Sequence, residues 1–129
     1  MILLLQYTLI FASVLILVAL GGCFAELSGV INLGLEGIMI LGARGGALTL
    51  RYVPITVPAI VMIRAVIVVS ALVGIVYSCL LAVASINFKA DQTLVGTALN
   101  LLGTAGATVI VKAINTAANP DDVSSIVQY

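Results

Sequence analysis

Between Glu26 and Gly37 the sequence ELSGVINLGLEG holds two carboxylates, a serine, an asparagine and three glycines, with long apolar runs on both sides. A charge within the hydrocarbon region of a bilayer costs roughly 2.5 to 3.5 kcal/mol on insertion scales, so carboxylates in such a setting usually serve a conduit, a proton relay or an ion site. Asn32 and Glu36 stand one helical turn apart and would face the same way. The glycines predict a discontinuity, and irregular backbone at membrane depth is tolerated where it lines a cavity or is buried in protein. Each carboxylate also has a structural reading. Glu26 could lie in a hydrated interfacial loop. Glu36 could favour a helix N-terminus, where an acid contributes about 0.3 to 1 kcal/mol, or pair with Arg44.

Other chemistry finds few residues. The 129-residue chain has no His and only two cysteines, Cys23 and Cys79, which stand far apart in apolar sequence. No metal-ligand set, disulfide framework, nucleophile elbow or phosphate-binding loop is present, and no cofactor is implied. Lysines and arginines number five, as do acids, so no basic patch points to nucleic acid. The composition is 63% hydrophobic and 8% charged. That balance cannot cover a water-facing surface and calls for a lipid bilayer as solvent.

The elements that must position these groups follow from the apolar runs. Met1 to Phe24 carries no charged side chain and is long enough to span, with the first transmembrane helix read over Met1 to Leu20. Leu20-Gly21-Gly22-Cys23 loosely resembles a lipoprotein cleavage box, but no Lys or Arg precedes the apolar run. Val30 to Ala43 is short and interrupted by Asn32 and Glu36, which predicts a half-helix or re-entrant element. Arg44 to Arg64 contains three arginines, Gly45-Gly46, Pro54 and Pro58, and reads as a cationic connection whose Ala47 to Leu50 could extend the second helix. Ala65 to Ile86 is an uncharged span. Its Ser70, Gly74, Ser78 and Ala82 form a stripe of small residues suited to helix packing.

Asn87 to Gln92 is a polar link, and Leu94 to Val111 is the last span. Gly96, Asn100, Gly103 and Ala107 share one face of it, and the amide of Asn100 needs a partner in hydrocarbon. The fold class expected is an all-α, polytopic membrane protein of three to four transmembrane helices, with one short broken or re-entrant element after the first. The domain division is a transmembrane region over 1–114 and a polar, poorly ordered tail over 115–129. Arg44, Arg51, Arg64 and Lys112 fall on one side of a four-span topology and Lys89 on the other, which places both termini in the cytoplasm.

The run from Gly21 to Met39, GGCFAELSGVINLGLEGIM, resembles the signature of the membrane subunits of bacterial ABC importers for nucleosides and simple sugars, related to the ribose and branched-chain amino acid permeases. The run from Lys89 to Leu102, KADQTLVGTALNLL, is similar to a second motif of that family. The resemblance covers residues 20–105. It implies a pore built with a second permease subunit, driven by cytoplasmic ATPase subunits and fed by an extracellular substrate-binding lipoprotein, in the bacterial cytoplasmic membrane. It implies alternating access without covalent chemistry, so the chain would not itself be an enzyme. Carried over by position, Glu26, Ser28, Gly29, Asn32, Gly34, Glu36 and Gly37 match the first motif. Asp91, Gln92, Gly96 and Asn100 match the second. These are the expected path-lining or pore-shaping residues, Gly96 being expected to pack.

The chain departs from the family at Leu27, where an Arg is usual, and at Arg44, where an apolar residue is usual. Family members are also much longer and have more spans, and the segment that docks on the ATPase has no match here. This suggests an N-terminal portion or a degraded copy. Two rival readings compete: a compact four-helix ion-coupled transporter acting as a dimer, with Glu36 as its proton site, and a purely structural membrane subunit.

Overall fold

The computed structural model describes residues 1–54 and 56–127. Among these, four helices follow one another: α1 (Ile2–Leu27), α2 (Leu35–Tyr52), α3 (Ala59–Ile86) and α4 (Gln92–Ala118). At about 1.5 Å per residue, α1, α3 and α4 are each ~40 Å long and α2 is ~27 Å. By length and composition α1, α3 and α4 can each cross a bilayer. α2 carries Glu36, Arg44 and Arg51 within its 18 residues, and those charges set it apart.

α2 lies between α3 and α4, and α1 touches only the start of α2. α3 runs antiparallel to α2: Gly74 meets Ile38, and Ser70 meets Gly42 and Gly46. α4 runs parallel to α2, from Gly96 beside Gly34 to Asn115 beside Arg51. Tyr77, Leu81 and Leu99 form the buried cluster, with Ile38, Leu41 and Val95 packed against it. The Tyr77 hydroxyl donates to the Leu99 carbonyl at 2.6 Å, which satisfies a polar group that would otherwise be stranded among apolar neighbours. α1 has no buried residue. Its apolar side chains point outward on every side, as befits a helix whose surroundings are lipid or other membrane helices.

Several element bounds differ from the sequence reading. The second helix starts at Leu35, not Val30, and continues through Arg44 and Gly45-Gly46 to Tyr52. The glycine pair does not end it, because a Cβ on Gly45 would come within 2.9 Å of the Val73 side chain, and one on Gly46 would collide with the Ser70 hydroxyl. Tertiary packing outweighs the ~1 kcal/mol helix penalty of glycine. The cationic connection therefore shrinks to a link over residues 53–58, of which Ile55 is outside the described residues. α3 starts at Ala59, directly after Pro58, and takes Arg64 into the helix. In the stripe expected on α3, Ser70, Gly74 and Ser78 are half-buried, but Ala82 is exposed. Tyr77 and Leu81 take over the buried face there.

The segment after α4 also differs. The 114/115 boundary falls inside α4, and Asn115 is 1% exposed. Residues 119–127 fold back on the helices instead of trailing. The Asn115 amide donates to the carbonyls of Ser124 (3.1 Å) and Ile126 (2.8 Å). Arg51 donates to the Asn115 Oδ1 at 2.6 Å, Arg44 donates to the Ser125 carbonyl at 2.9 Å, and Val127 is buried. Gln128 and Tyr129 lie outside the described residues.

Candidate functional site

The break between α1 and α2 is built from the motif residues. α1 ends in a Schellman motif: Val30 N–H donates to the Ala25 carbonyl at 3.1 Å and Gly29 N–H to the Glu26 carbonyl at 2.9 Å. Gly29 sits at φ +81°, the left-handed conformation that a Cβ resists. The Ser28 hydroxyl donates to the Ala25 carbonyl at 2.6 Å. After the turn, Asn32 forms an Asx turn, its Oδ1 accepting from Gly34 N–H at 3.1 Å. Gly34 then caps α2, and Glu36 lies in the first turn. Carboxylate and helix dipole are thus aligned favourably.

The second motif holds the first. Asp91 caps α4, its carboxylate accepting from Thr93 N–H at 2.8 Å. Gln92 Oε1 accepts from Ile31 N–H at 2.9 Å. Asn100 makes two bonds at once: its Oδ1 accepts from Gly37 N–H at 2.8 Å, and its Nδ2 donates to the Leu33 carbonyl at 2.7 Å. Gly37 is in the first turn of α2, where N–H groups have no partner within the helix. Asn100 therefore supplies from α4 the cap that α2 lacks locally.

Close backbone approach makes these bonds possible. A Cβ on Gly37 would lie 2.8 Å from the Leu99 carbonyl oxygen, and one on Gly103 would lie 2.8 Å from the Gly37 Cα. Gly96 lies equally tightly against Leu33 and Gly34, and Ala107 is buried lower on the same face. Gln92 is the first residue of α4. Asn100 lies about 9 Å further in than Leu94, where the uncharged stretch begins. The break therefore descends from the rim of α4 into its apolar span. Unpaired backbone groups there would each cost several kcal/mol in hydrocarbon, which is why two side chains from another helix are spent on them.

Glu26 and Glu36 are both exposed and belong to different helices, while Asn32 and Asn100 are half-buried. The motif amides thus turn inward to hold the backbone, and the carboxylates stay free to face outward. Arg44 is directed to Ser125 and not to Glu36. No group of three His, Cys, Asp or Glu that could hold a metal occurs among the described residues.

The model of the family described as the branched-chain amino acid transport system / permease component matches residues 4–128. The chain belongs to that family. Among individual permeases, it is 40% identical over 116 residues to the guanosine ABC transporter permease protein NupQ of Bacillus subtilis, covering 90% of this chain and 36% of that protein. It is 37% identical over 101 residues to the nucleoside ABC transporter permease protein NupC of Lactococcus lactis, covering 75% and 30%. A putative glucose ABC transporter permease protein of Haloferax volcanii is 35% identical over 107 residues, covering 78% and 29%. The chain spans about a third of the length of these relatives. No solved structure matches it. The relatives are permease subunits, not enzymes, and they lend nothing to an ion-coupled carrier with Glu36 as its proton site.

Two groups of permease residues escaped the sequence reading. Arg51 and Asn115 lock the segment after α4, and Tyr77 anchors α3 on α4. Asn115 carried a signal, since it continues the face of Gly96, Gly103, Ala107 and Val111 at spacings of seven, four, four and four. Arg51 carried none, because its partner lies 64 residues away.

Proposed function

We propose that this chain forms part of the transmembrane pore of an ATP-driven importer for nucleosides or simple sugars, in the bacterial cytoplasmic membrane. It acts by alternating access and performs no covalent chemistry. ATP is hydrolysed by cytoplasmic ATPase subunits. A second permease subunit completes the pore, and an extracellular substrate-binding lipoprotein delivers the cargo. One observation carries this reading: the two motifs shared with the permease family meet as a single unit, in which Gln92 and Asn100 hold the break that Glu26 to Gly37 creates. Irregular backbone held by protein at membrane depth is the arrangement from which transporters build paths. The cations distribute in support of an orientation with the break on the extracytoplasmic side. Arg44, Arg51 and Lys112 lie toward the opposite end, with the 53–58 link and the segment after α4.

The test is affinity purification of the chain from its own membranes, followed by uptake of labelled guanosine, uridine and glucose. An ATPase subunit is expected to co-purify, and uptake is expected to require ATP. A chain that purifies with no ATPase, or uptake that persists without ATP and follows the proton gradient, would overturn the proposal.

A further inference from the structure

At the end of the bundle opposite the break, residues 119–127 lie back over α2 and α4, and their backbone is served by side chains. The Thr116 hydroxyl donates to the Asp122 carbonyl at 3.1 Å, the Asn115 amide donates to the carbonyls of Ser124 and Ile126, and Arg44 donates to that of Ser125. Two of the segment's own side chains serve its N–H groups. Ser124 N–H donates to Asp122 Oδ1 at 3.0 Å, and Ile126 N–H donates to Ser124 Oγ at 3.2 Å. Irregular backbone in a membrane protein persists where its polar groups are satisfied in this way. The segment is therefore a built strap and not a trailing end. It seats on the Arg51–Asn115 pair, and Asn115 is 1% exposed beneath it.

The hold is of a kind that another group can replace. Among the strap's apolar side chains Val127 is buried, whereas Val123 and Ile126 are 66% and 72% exposed. The bonds named for Arg44 and Arg51 end on a backbone carbonyl and an amide oxygen, both neutral. Two carboxylates stand in the strap itself, yet Asp122 turns its Oδ1 to Ser124 N–H and Asp121 is exposed. A guanidinium binds a carboxylate more strongly than a neutral oxygen, because both partners are ionised and its fork takes both carboxylate oxygens. Arg44 and Arg51 are half-buried and stand seven residues apart on one face of α2, ~10 Å along its axis. Two carboxylates at the same spacing on another helix match the pair.

We propose that residues 119–127 are an exchangeable strap over a docking face, and that an acidic helical segment of a partner protein, with two carboxylates about seven residues apart, displaces it by taking Arg44 and Arg51. In the strapped state Val127 is buried and Asn115 is covered. In the exchanged state the partner's carboxylates neutralise the two guanidinium groups, the strap's carbonyls pass to water, and Val127 is exposed. The fold thus keeps a cationic surface covered until an acidic partner reaches it. Only the side of the membrane, cytoplasmic, rests on the importer reading above.

The test uses the 129-residue chain in inside-out membrane vesicles, after Cys23→Ala and Cys79→Ala, with one reporter thiol at Val127→Cys or, as the control, Val123→Cys. Each is treated with a membrane-impermeant thiol reagent alone, with a helical peptide carrying a pair of Glu at the spacing of Arg44 and Arg51, and with the same peptide carrying Gln instead. Val123→Cys is expected to react readily and Val127→Cys at least several-fold more slowly. The Glu peptide is expected to speed Val127→Cys several-fold, and the Gln peptide to leave it unchanged. Adding Arg44→Gln and Arg51→Gln is expected to make Val127→Cys fast without peptide and to abolish the peptide's effect, with α1 to α4 still protected from protease. Val127→Cys that reacts as fast as Val123→Cys overturns the strap. A slow thiol that the Glu peptide leaves slow, or that the Gln peptide speeds equally, overturns the carboxylate exchange. These readouts need neither ATP nor uptake, so the importer reading fails or stands separately. A Glu peptide that acts only on right-side-out vesicles supports the exchange and overturns the cytoplasmic orientation.

Discussion

Single residues decide whether the break can exist. Gly29 must adopt φ +81° to close the Schellman turn, and nothing lies within 4 Å of the position a Cβ would take. Conformation alone therefore penalises substitution there. Gly29→Ala is expected to destabilise the fold by about 1 to 2 kcal/mol, measured as a lowered midpoint in detergent unfolding without loss of helix content in the refolded protein. Asn100 is more demanding, because it serves a donor and an acceptor on the far side of the contact. Asn100→Leu keeps the volume but strands the Gly37 N–H and the Leu33 carbonyl. The expected cost is ~1 to 3 kcal/mol, with new protease cleavage between Ser28 and Gly34 as the diagnostic sign. An Asn100→Leu variant whose break stays as protected as the wild type would show that water or another chain supplies those bonds.

At the scale of elements, α2 is held on opposite flanks by different devices. Toward α4 the contact is backbone against backbone. Gly37→Val inserts a branched side chain where a single Cβ would already meet the Leu99 carbonyl at 2.8 Å. Overpacking of this kind costs about 1 to 3 kcal/mol, and here it should also pull Asn100 off its partners, so the loss is expected to exceed that of Gly37→Ala. Unfolding midpoints of the two variants check the order. Toward α3 the contact is glycine against side chain, Gly45 on Val73 and Gly46 on Ser70. α3 is also anchored on α4 by Tyr77, and Tyr77→Phe, which loses one bond to the Leu99 carbonyl, is expected to cost only about 0.5 to 1.5 kcal/mol. The segment 119–127 depends on the Arg51–Asn115 pair. Arg51→Ala is expected to release it, read as faster proteolysis after Asn119 with α1 to α4 still protected.

For the molecule as a whole, the described residues make a three-helix unit of α2, α3 and α4 to which α1 is only lightly attached. α1 offers its apolar surface to the surroundings. A chain that spans about a third of its relatives' length carries the break and its clamp. The physical division is clear even so: apolar surface outward on α1 and α3, and Arg44, Arg51, Arg64 and Lys112 toward the end opposite the break, with Lys89 beside the break.

The two motifs were legible through their resemblance to the permease family, whereas composition and periodicity alone determined that this is an all-helical membrane protein and that glycines around Asn32 interrupt it. Those properties are local or additive, since hydropathy, helix span and turn chemistry depend on neighbours in the chain. The tertiary structure alone decided what the motif residues do. Asn100 and Gln92 reach back more than sixty residues to satisfy backbone groups. Gly45-Gly46 continues a helix instead of ending it because α3 needs the room. Arg44 and Arg51 hold the returning segment after α4. Each of these outcomes is set by the partner that folding brings near, and a partner at that sequence distance leaves no mark on the local pattern.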